Sequence, residues 1–174
     1  MRLSHTFFWA RLLPKQLVLN LATLGHIGAK SKMPGTIGAI LGFFFYAITF
    51  HYFNPFTYTF GLCIITYLSA AICDAAEYHM MQKDPGSIIL DEFVAVPFIF
   101  LGLNAFNPNV LEAGGWPIYL AGIALFRFFD ILKPLGICKI ERIEGGLGCV
   151  LDDVASALVS CVLLHILVNN MISA

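Results

Sequence analysis

An all-α, multi-pass membrane helix bundle of about five spans, led by a short N-terminal interfacial or re-entrant helix, is the fold class that three observations predict. The first is composition. Of 174 residues, 59% are apolar and only 12% charged, about half the charged share of an ordinary globular domain. The second is where the charges fall. No Asp, Glu, Lys or Arg occurs over residues 33–73 or 154–174, and only Glu112 over 93–126. The third is length. Crossing the hydrocarbon takes about 20 helical residues at about 1.5 Å each. The first stretch is long enough for two spans, 93–126 for two shorter ones, and 154–174 for one. Helices of a soluble bundle need a polar outer face, and these stretches offer almost none.

Each element follows in order. Residues 1–24 carry Arg2, Arg11 and Lys15 around an apolar run of only 17–24. That run is too short to span, and nothing after it resembles a small-residue cleavage site, so an interfacial or re-entrant helix over 14–24 is expected. Asn54-Pro55 then divides spans near 36–53 and 56–80. Asn104, Asn107-Pro108-Asn109 and Gly114-Gly115 divide spans near 91–103 and 117–132. The last span covers about 152–169. Neither strand-type alternation nor an internal repeat is present, so 1–174 reads as a single membrane-embedded domain. Cys63, Cys73, Cys138, Cys149 and Cys161 are scattered without a CxxC spacing; they read as small apolar fillers.

Net charge is −1, so no field of one sign points to nucleic acid as a partner. Placement is more informative. With five spans traced from the Lys30 side, all ten Lys and Arg lie on or near the starting face: Arg2, Arg11, Lys15, Lys30, Lys32, Lys83, Arg127, Lys133, Lys139 and Arg142. The positive-inside rule makes that face cytoplasmic. Asp74, Glu77, Asp84, Asp91, Glu92, Asp130, Glu141, Glu144, Asp152 and Asp153 fall at the same ends; only Glu112 is opposite.

The span near 91–103 is about 20 Å long against a hydrocarbon core of about 30 Å. Asp91 and Glu92 are therefore expected below the membrane surface, and Asp130 sits on another short apolar helix. Ionisable groups at such depth normally face a bundle interior or a watery cavity. Carboxylates in close company repel unless a cation neutralises them, and Mg²⁺ prefers carboxylate and water oxygens. Nearby are parts suited to phosphate. Gly25, Gly28 and Pro34-Gly35-Thr36 form a Gly/Pro loop before a helix, with Lys30 and Lys32 inside it, and free N–H groups at a helix start attract anions. Arg127 and Asp130 stand at i and i+3, a natural pair. Lys133 precedes Pro134, where the helix should stop. Gly145-Gly146-Leu147-Gly148 reads as a flexible loop ahead of Asp152-Asp153. There is no Cys-x5-Arg loop, Asp-x-Asp pair or Ser-Gly-His triplet, which leaves metal-activated water with Lys or Arg neutralising the developing charge.

Three ordered blocks carry a resemblance. They are residues 32–38 (KMPGTIG), 84–93 (DPGSIILDEF), and 127–134 (RFFDILKP) leading to 145–153 (GGLGCVLDD). Over about residues 25–160 the chain resembles the phosphatidylglycerophosphatase A family. The resemblance implies a largely helical, Mg²⁺-dependent membrane enzyme that removes the terminal phosphate of phosphatidylglycerophosphate. On that basis Asp91, Glu92, Asp130, Asp152 and Asp153 are expected to bind metal and activate water. Lys32, Thr36, Arg127, Lys133 and Lys30 are expected to hold the substrate phosphate, with Lys133 also catalytic. Val94-Ala95-Val96 and Ser156-Ala157 stand where the family commonly has a Gly, each a slightly larger residue at a packing face. The rival expectation is a small ion or proton transporter with the carboxylates as carriers, which would need polar groups reaching the far side.

Overall fold

The computed structural model describes residues 7–106, 115–134, 136–140 and 143–173. Arg2, Asn107-Pro108-Asn109, Glu112, Gly114, Glu141 and Arg142, all used above, lie outside the described residues. The described chain is all-α. It runs α1 (Phe8–Arg11), α2 (Lys15–Ala22), α3 (Ile27–Lys30), α4 (Pro34–Ile48), a 3-10 turn (Phe50–Tyr52), α5 (Pro55–Met80) and α6 (Leu90–Ile99). It continues with α7 (Leu103–Phe106), α8 (Trp116–Leu132), α9 (Ile137–Ile140) and α10 (Gly146–Ser173).

Local chemistry sets these boundaries. Proline opens α4, α5 and α8, where its missing N–H costs nothing. Asn54 caps α5 by accepting from the Thr57 N–H at 2.9 Å. At the other end of α8, Lys133 takes the left-handed conformation with φ 43° and Pro134 follows, so the expected stop is present. Pro97 lies inside α6 and removes a donor near its end. The Tyr58 hydroxyl of α5 donates to the Pro97 carbonyl at 2.5 Å.

Three stretches are long and apolar enough to cross a membrane: Pro34–Tyr52, Pro55–Met80 and Gly146–Met171. The other two expected spans are shorter. α8 has 17 residues and α6 only 10, the latter about 15 Å of helix. Pro97 inside α6 and the positive φ of Gly102 just beyond it accompany the early end of this helix.

Packing explains why α6 lies where it does. Gly35, Gly38 and Gly42 present one face of α4 to it. A β-carbon on Gly42 would sit 2.6 Å from the Phe93 carbonyl oxygen, and one on Gly38 3.0 Å from that of Ile89. Small residues at this spacing let helix backbones approach closely. Gly146 does the same for α10, since a β-carbon there would collide with the Ala70 carbonyl of α5. α10 thus packs against α5, α6 and α8 together. The N-terminal helices are fastened to α5 by a buried ion pair, Arg11 to Asp74 at 2.9 Å, and Arg11 also lies over the Tyr78 ring at 4.9 Å. The Ile89 N–H donates to the Ala22 carbonyl at 3.0 Å, tying this N-terminal unit to the start of α6.

Candidate active site

The first turn of α6, the last turn of α8 and the first turns of α4 and α10 meet at one end of the bundle. From α6 come Asp91 and Glu92. The Asp91 carboxylate accepts the Glu92 N–H at 3.0 Å through Oδ1 and the Cys149 thiol at 2.8 Å through Oδ2. Asp153 of α10 joins them: one oxygen from each of Asp91, Glu92 and Asp153 lies within 4.8 Å of the others. Asp130 of α8 is linked to this group through Arg127, which contacts both Asp130 and Glu92. Asp91, Asp152 and Asp153 are only 6%, 3% and 5% exposed. Of the five expected carboxylates, Asp91, Glu92 and Asp153 are brought within ligand range of one another, whereas Asp130 and Asp152 are each paired with a cation.

The cations frame this cluster. Arg127 holds Asp130 at 2.6 Å, as its i, i+3 spacing implies, and reaches Glu92 at 3.9 Å. Lys133 holds Asp152 at 2.6 Å. Among the described residues neither Asp91 nor Asp153 has an ion-pair partner. Gly35 seats the start of α4 directly on these groups, since a β-carbon there would strike Glu92 and lie 2.7 Å from Arg127 Nη1. Thr36 is next in the same turn and half-buried. Lys30 and Lys32 are exposed, and neither forms an ion pair among the described residues.

Three polar atoms at the site are buried without a hydrogen-bond partner among the described residues: Glu92 Oε2, Asp152 Oδ1 and Arg127 Nε. An orphaned carboxylate oxygen in a low-dielectric place is costly unless positive charge meets it. With hard oxygen donors converging at this range, the set fits a Mg²⁺-class ion.

Tertiary structure revises several sequence expectations. Asp74 is taken by Arg11, and Glu77 accepts the Asp84 N–H at 2.8 Å, so both serve the scaffold. The Gly145–Gly148 run is not a loop throughout; it is helical from Gly146. Cys149, read above as a filler, contacts Asp91 at the centre of the cluster. Its position three and four residues before Asp152 and Asp153 puts all three on one helix face, and that spacing was the available signal.

Several cavities flank the bundle among the described residues. An almost wholly apolar groove of about 460 Å³ is lined by Trp9, Leu21, Phe45, Leu68, Leu90 and Phe93 among others, beside the α6 turn that carries Asp91. A second, of about 390 Å³, is bounded by His51, Asn104 and His165 at the far ends of α5 and α10, away from the carboxylates.

The family model described as phosphatidylglycerophosphatase A matches residues 20–168. A Bacteroides thetaiotaomicron protein carrying the provisional name phosphatidylinositol-3-phosphatase is 34% identical, over 76% of this chain and 82% of its own. Haemophilus influenzae phosphatidylglycerophosphatase A is 32% identical over 72% of both chains. The Escherichia coli protein of that name is 30% identical over 79% of this chain and 76% of its own. No solved structure matches.

Proposed function

The chain belongs to the phosphatidylglycerophosphatase A family, and on that premise we propose that it hydrolyses the terminal phosphomonoester of phosphatidylglycerophosphate to phosphatidylglycerol and phosphate. The reaction would depend on Mg²⁺ and take place at the cytoplasmic face of a bacterial membrane, within one membrane-embedded domain crossed by about five passes. The observation that carries this is the buried meeting of Asp91, Glu92 and Asp153 oxygens, rimmed by Arg127 and Lys133.

Asp91, Glu92 and Asp153, with Asp130 beside them, would hold Mg²⁺. When bound, the ion supplies Lewis-acid polarisation of a phosphoryl oxygen and a more acidic water. Lys133 and Arg127 present donors to the remaining phosphate oxygens, where negative charge grows in the transition state. Asp152 positions the Lys133 ammonium, and its free Oδ1 or that of Glu92 Oε2 is placed to take a proton. The N–H groups at the start of α4, around Gly35 and Thr36, add an anion-binding edge. Exposed Lys30 and Lys32 draw the anionic headgroup inward. The apolar groove beside α6 suits the lipid tails, which stay in the bilayer.

Transport is the weaker alternative. The Ser156 and Ser160 hydroxyls point back to the Asp152 and Ser156 carbonyls of their own helix, at 3.0 and 2.7 Å. They do not extend a polar path from the carboxylates toward the far side.

The test is phosphate release from the purified, detergent-solubilised chain, with and without Mg²⁺, on phosphatidylglycerophosphate and on phosphatidylinositol 3-phosphate. Mg²⁺-dependent release with preference for the first lipid is expected. Preference for the inositol lipid would transfer the assignment to the activity named for the Bacteroides relative. No release from either would end it.

A further inference from the structure

A cavity of about 240 Å³ lies at the pole opposite the carboxylates, among the end of α4, the 3-10 turn and the start of α8. Its walls are six rings, those of Phe43, Tyr46, His51, Tyr52, Trp116 and Tyr119. Phe43 lies 6.1 Å from Trp116 and 5.7 Å from Tyr119, Tyr46 5.9 Å from His51, and His51 5.0 Å from Tyr52, centroid to centroid. Each of these contacts is edge-on or tilted, so the ring faces are not stacked away against one another. Tyr52 and Trp116 are largely exposed and form the mouth.

A separate observation points to a ligand here. Tyr46 and Tyr119 are only 1% and 4% exposed, both line the cavity, and neither hydroxyl has a hydrogen-bond partner among the described residues. The two hydroxyls act on each other, and Asn104 acts on that of Tyr46, but none of these approaches reaches hydrogen-bond geometry. Buried hydroxyls are normally bonded. Trp and Tyr gather at membrane interfaces, which accounts for the rings at the mouth. It does not account for two buried hydroxyls left unbonded behind them.

The lining selects the class of ligand. No Asp, Glu, Lys or Arg lines the cavity among the described residues. His51 adds no charge either. The Asn104 amide nitrogen meets the His51 carbonyl oxygen at 3.2 Å and is therefore also the donor to Nδ1 at 3.1 Å, and an imidazole that accepts there is neutral. A Mg²⁺-class ion needs carboxylates or many hard oxygens, whereas aromatic faces attract organic cations. One bridging water, with its share of about 30 Å³, would leave most of this space unfilled.

We propose that the cavity binds a primary ammonium group, borne by a lipid headgroup or by a free amine, with aromatic faces around the cation and the Tyr46 and Tyr119 oxygens accepting two of its N–H donors. A trimethylated ammonium keeps the attraction to the rings but has no N–H to offer, so it binds more weakly. The site stands apart from the carboxylate cluster and does not rest on the phosphatase reading.

The experiment uses the full-length, detergent-solubilised protein carrying Trp9→Phe, which leaves Trp116 as its single indole. Trp116 emission is followed during titration with dihexanoyl phosphatidylethanolamine, its N-acetylated form, dihexanoyl phosphatidylcholine and ethylammonium. A saturable change is expected with the first lipid, none with the uncharged N-acetylated lipid, and a weaker one with the choline lipid. Tyr46→Phe and Tyr119→Phe keep the rings and remove only an unbonded hydroxyl, so both variants fold. Each should weaken the ethanolamine lipid by about tenfold or more, the worth of one hydrogen bond to a charged group, and leave the choline lipid unchanged. Saturation by the lipid with ethylammonium inert assigns the site to a headgroup; saturation by both assigns it to soluble amines as well. No saturable change with any amine, an equal change with the N-acetylated lipid, or unchanged ethanolamine-lipid affinity in either Phe variant would each overturn the proposal.

Discussion

Lys133 concentrates the chemistry at the scale of one residue. Its left-handed backbone, φ 43°, costs a residue with a β-carbon about 1 kcal/mol or more, and non-glycine strain of this kind gathers at functional sites. The strain aims the ammonium at Asp152. If Lys133 only balances charge, Lys133→Arg should be nearly silent. If it reaches a phosphate oxygen, a compact ammonium and a planar guanidinium are not equivalent. Lys133→Arg is then expected to lower kcat clearly and Lys133→Ala by about 10²-fold or more, with near-normal Mg²⁺ dependence because Lys133 is not a ligand. A Lys133→Arg enzyme with normal kcat would return the residue to charge balance. Asp91→Asn and Asp153→Asn keep side-chain shape but remove a negative ligand. Both proteins should insert in the membrane and lack activity; normal turnover by either would strike that residue from the set.

Between elements, glycines and one buried ion pair control the approach of helices. Gly42→Leu would force α4 away from the Phe93 carbonyl. Overpacking of this sort costs about 1–3 kcal/mol, so a lower melting temperature and reduced activity are expected together, the latter because Gly35 rests on Glu92 and Arg127. An unchanged melting temperature would show that α4 and α6 are not so close. Arg11 and Asp74 offer a sharper contrast. Removing one member of a buried pair strands the other charge, at about 3–5 kcal/mol, whereas an apolar pair of similar volume is often neutral. Arg11→Ala should therefore destabilise the detergent-solubilised protein more than the double change Arg11→Met with Asp74→Leu. Equal losses would mean the pair is not dry.

For the molecule as a whole, the question is which ends share a face. The Lys133–Asp152, Arg127–Glu92, Cys149–Asp84 and Glu77–Asp84 contacts gather the ends of α5 and α8 and the starts of α6 and α10 at one pole. The turn at Phe50–Tyr52 belongs to the other, where Asn104 meets His51. With Cys63 and Cys138 replaced by Ser and Cys73, Cys149 and Cys161 buried, cysteines introduced one at a time at Gln82 and at Tyr52, both exposed positions, should label from opposite sides of the membrane, Gln82 from the cytoplasm. Labelling of both from one side would overturn the topology and the cytoplasmic site built on it.

By itself the sequence determined whatever depends on near neighbours along the chain. Long uncharged runs mean membrane because hydrocarbon admits no unpaired charge. Pro and Asn open helices, Pro134 closes one, and Arg127 finds Asp130 because i and i+3 share a helix face. The clustering of charges at one end also followed from counting spans. Partner choice across distant segments did not. Among seven carboxylates on α5, α6, α8 and α10, only the rotation of each helix decides that Asp74 turns to Arg11 while Asp91 and Asp153 turn to each other. That rotation is set by packing: glycines at 38 and 42 admit the backbone at Ile89 and Phe93, Gly35 admits the Glu92 and Arg127 side chains, and Gly146 admits α5. The same rotation makes Cys149 a neighbour of Asp91 instead of a filler. Tertiary structure alone could decide this, because a helix shows every side of itself in sequence and only its neighbours select which side is buried.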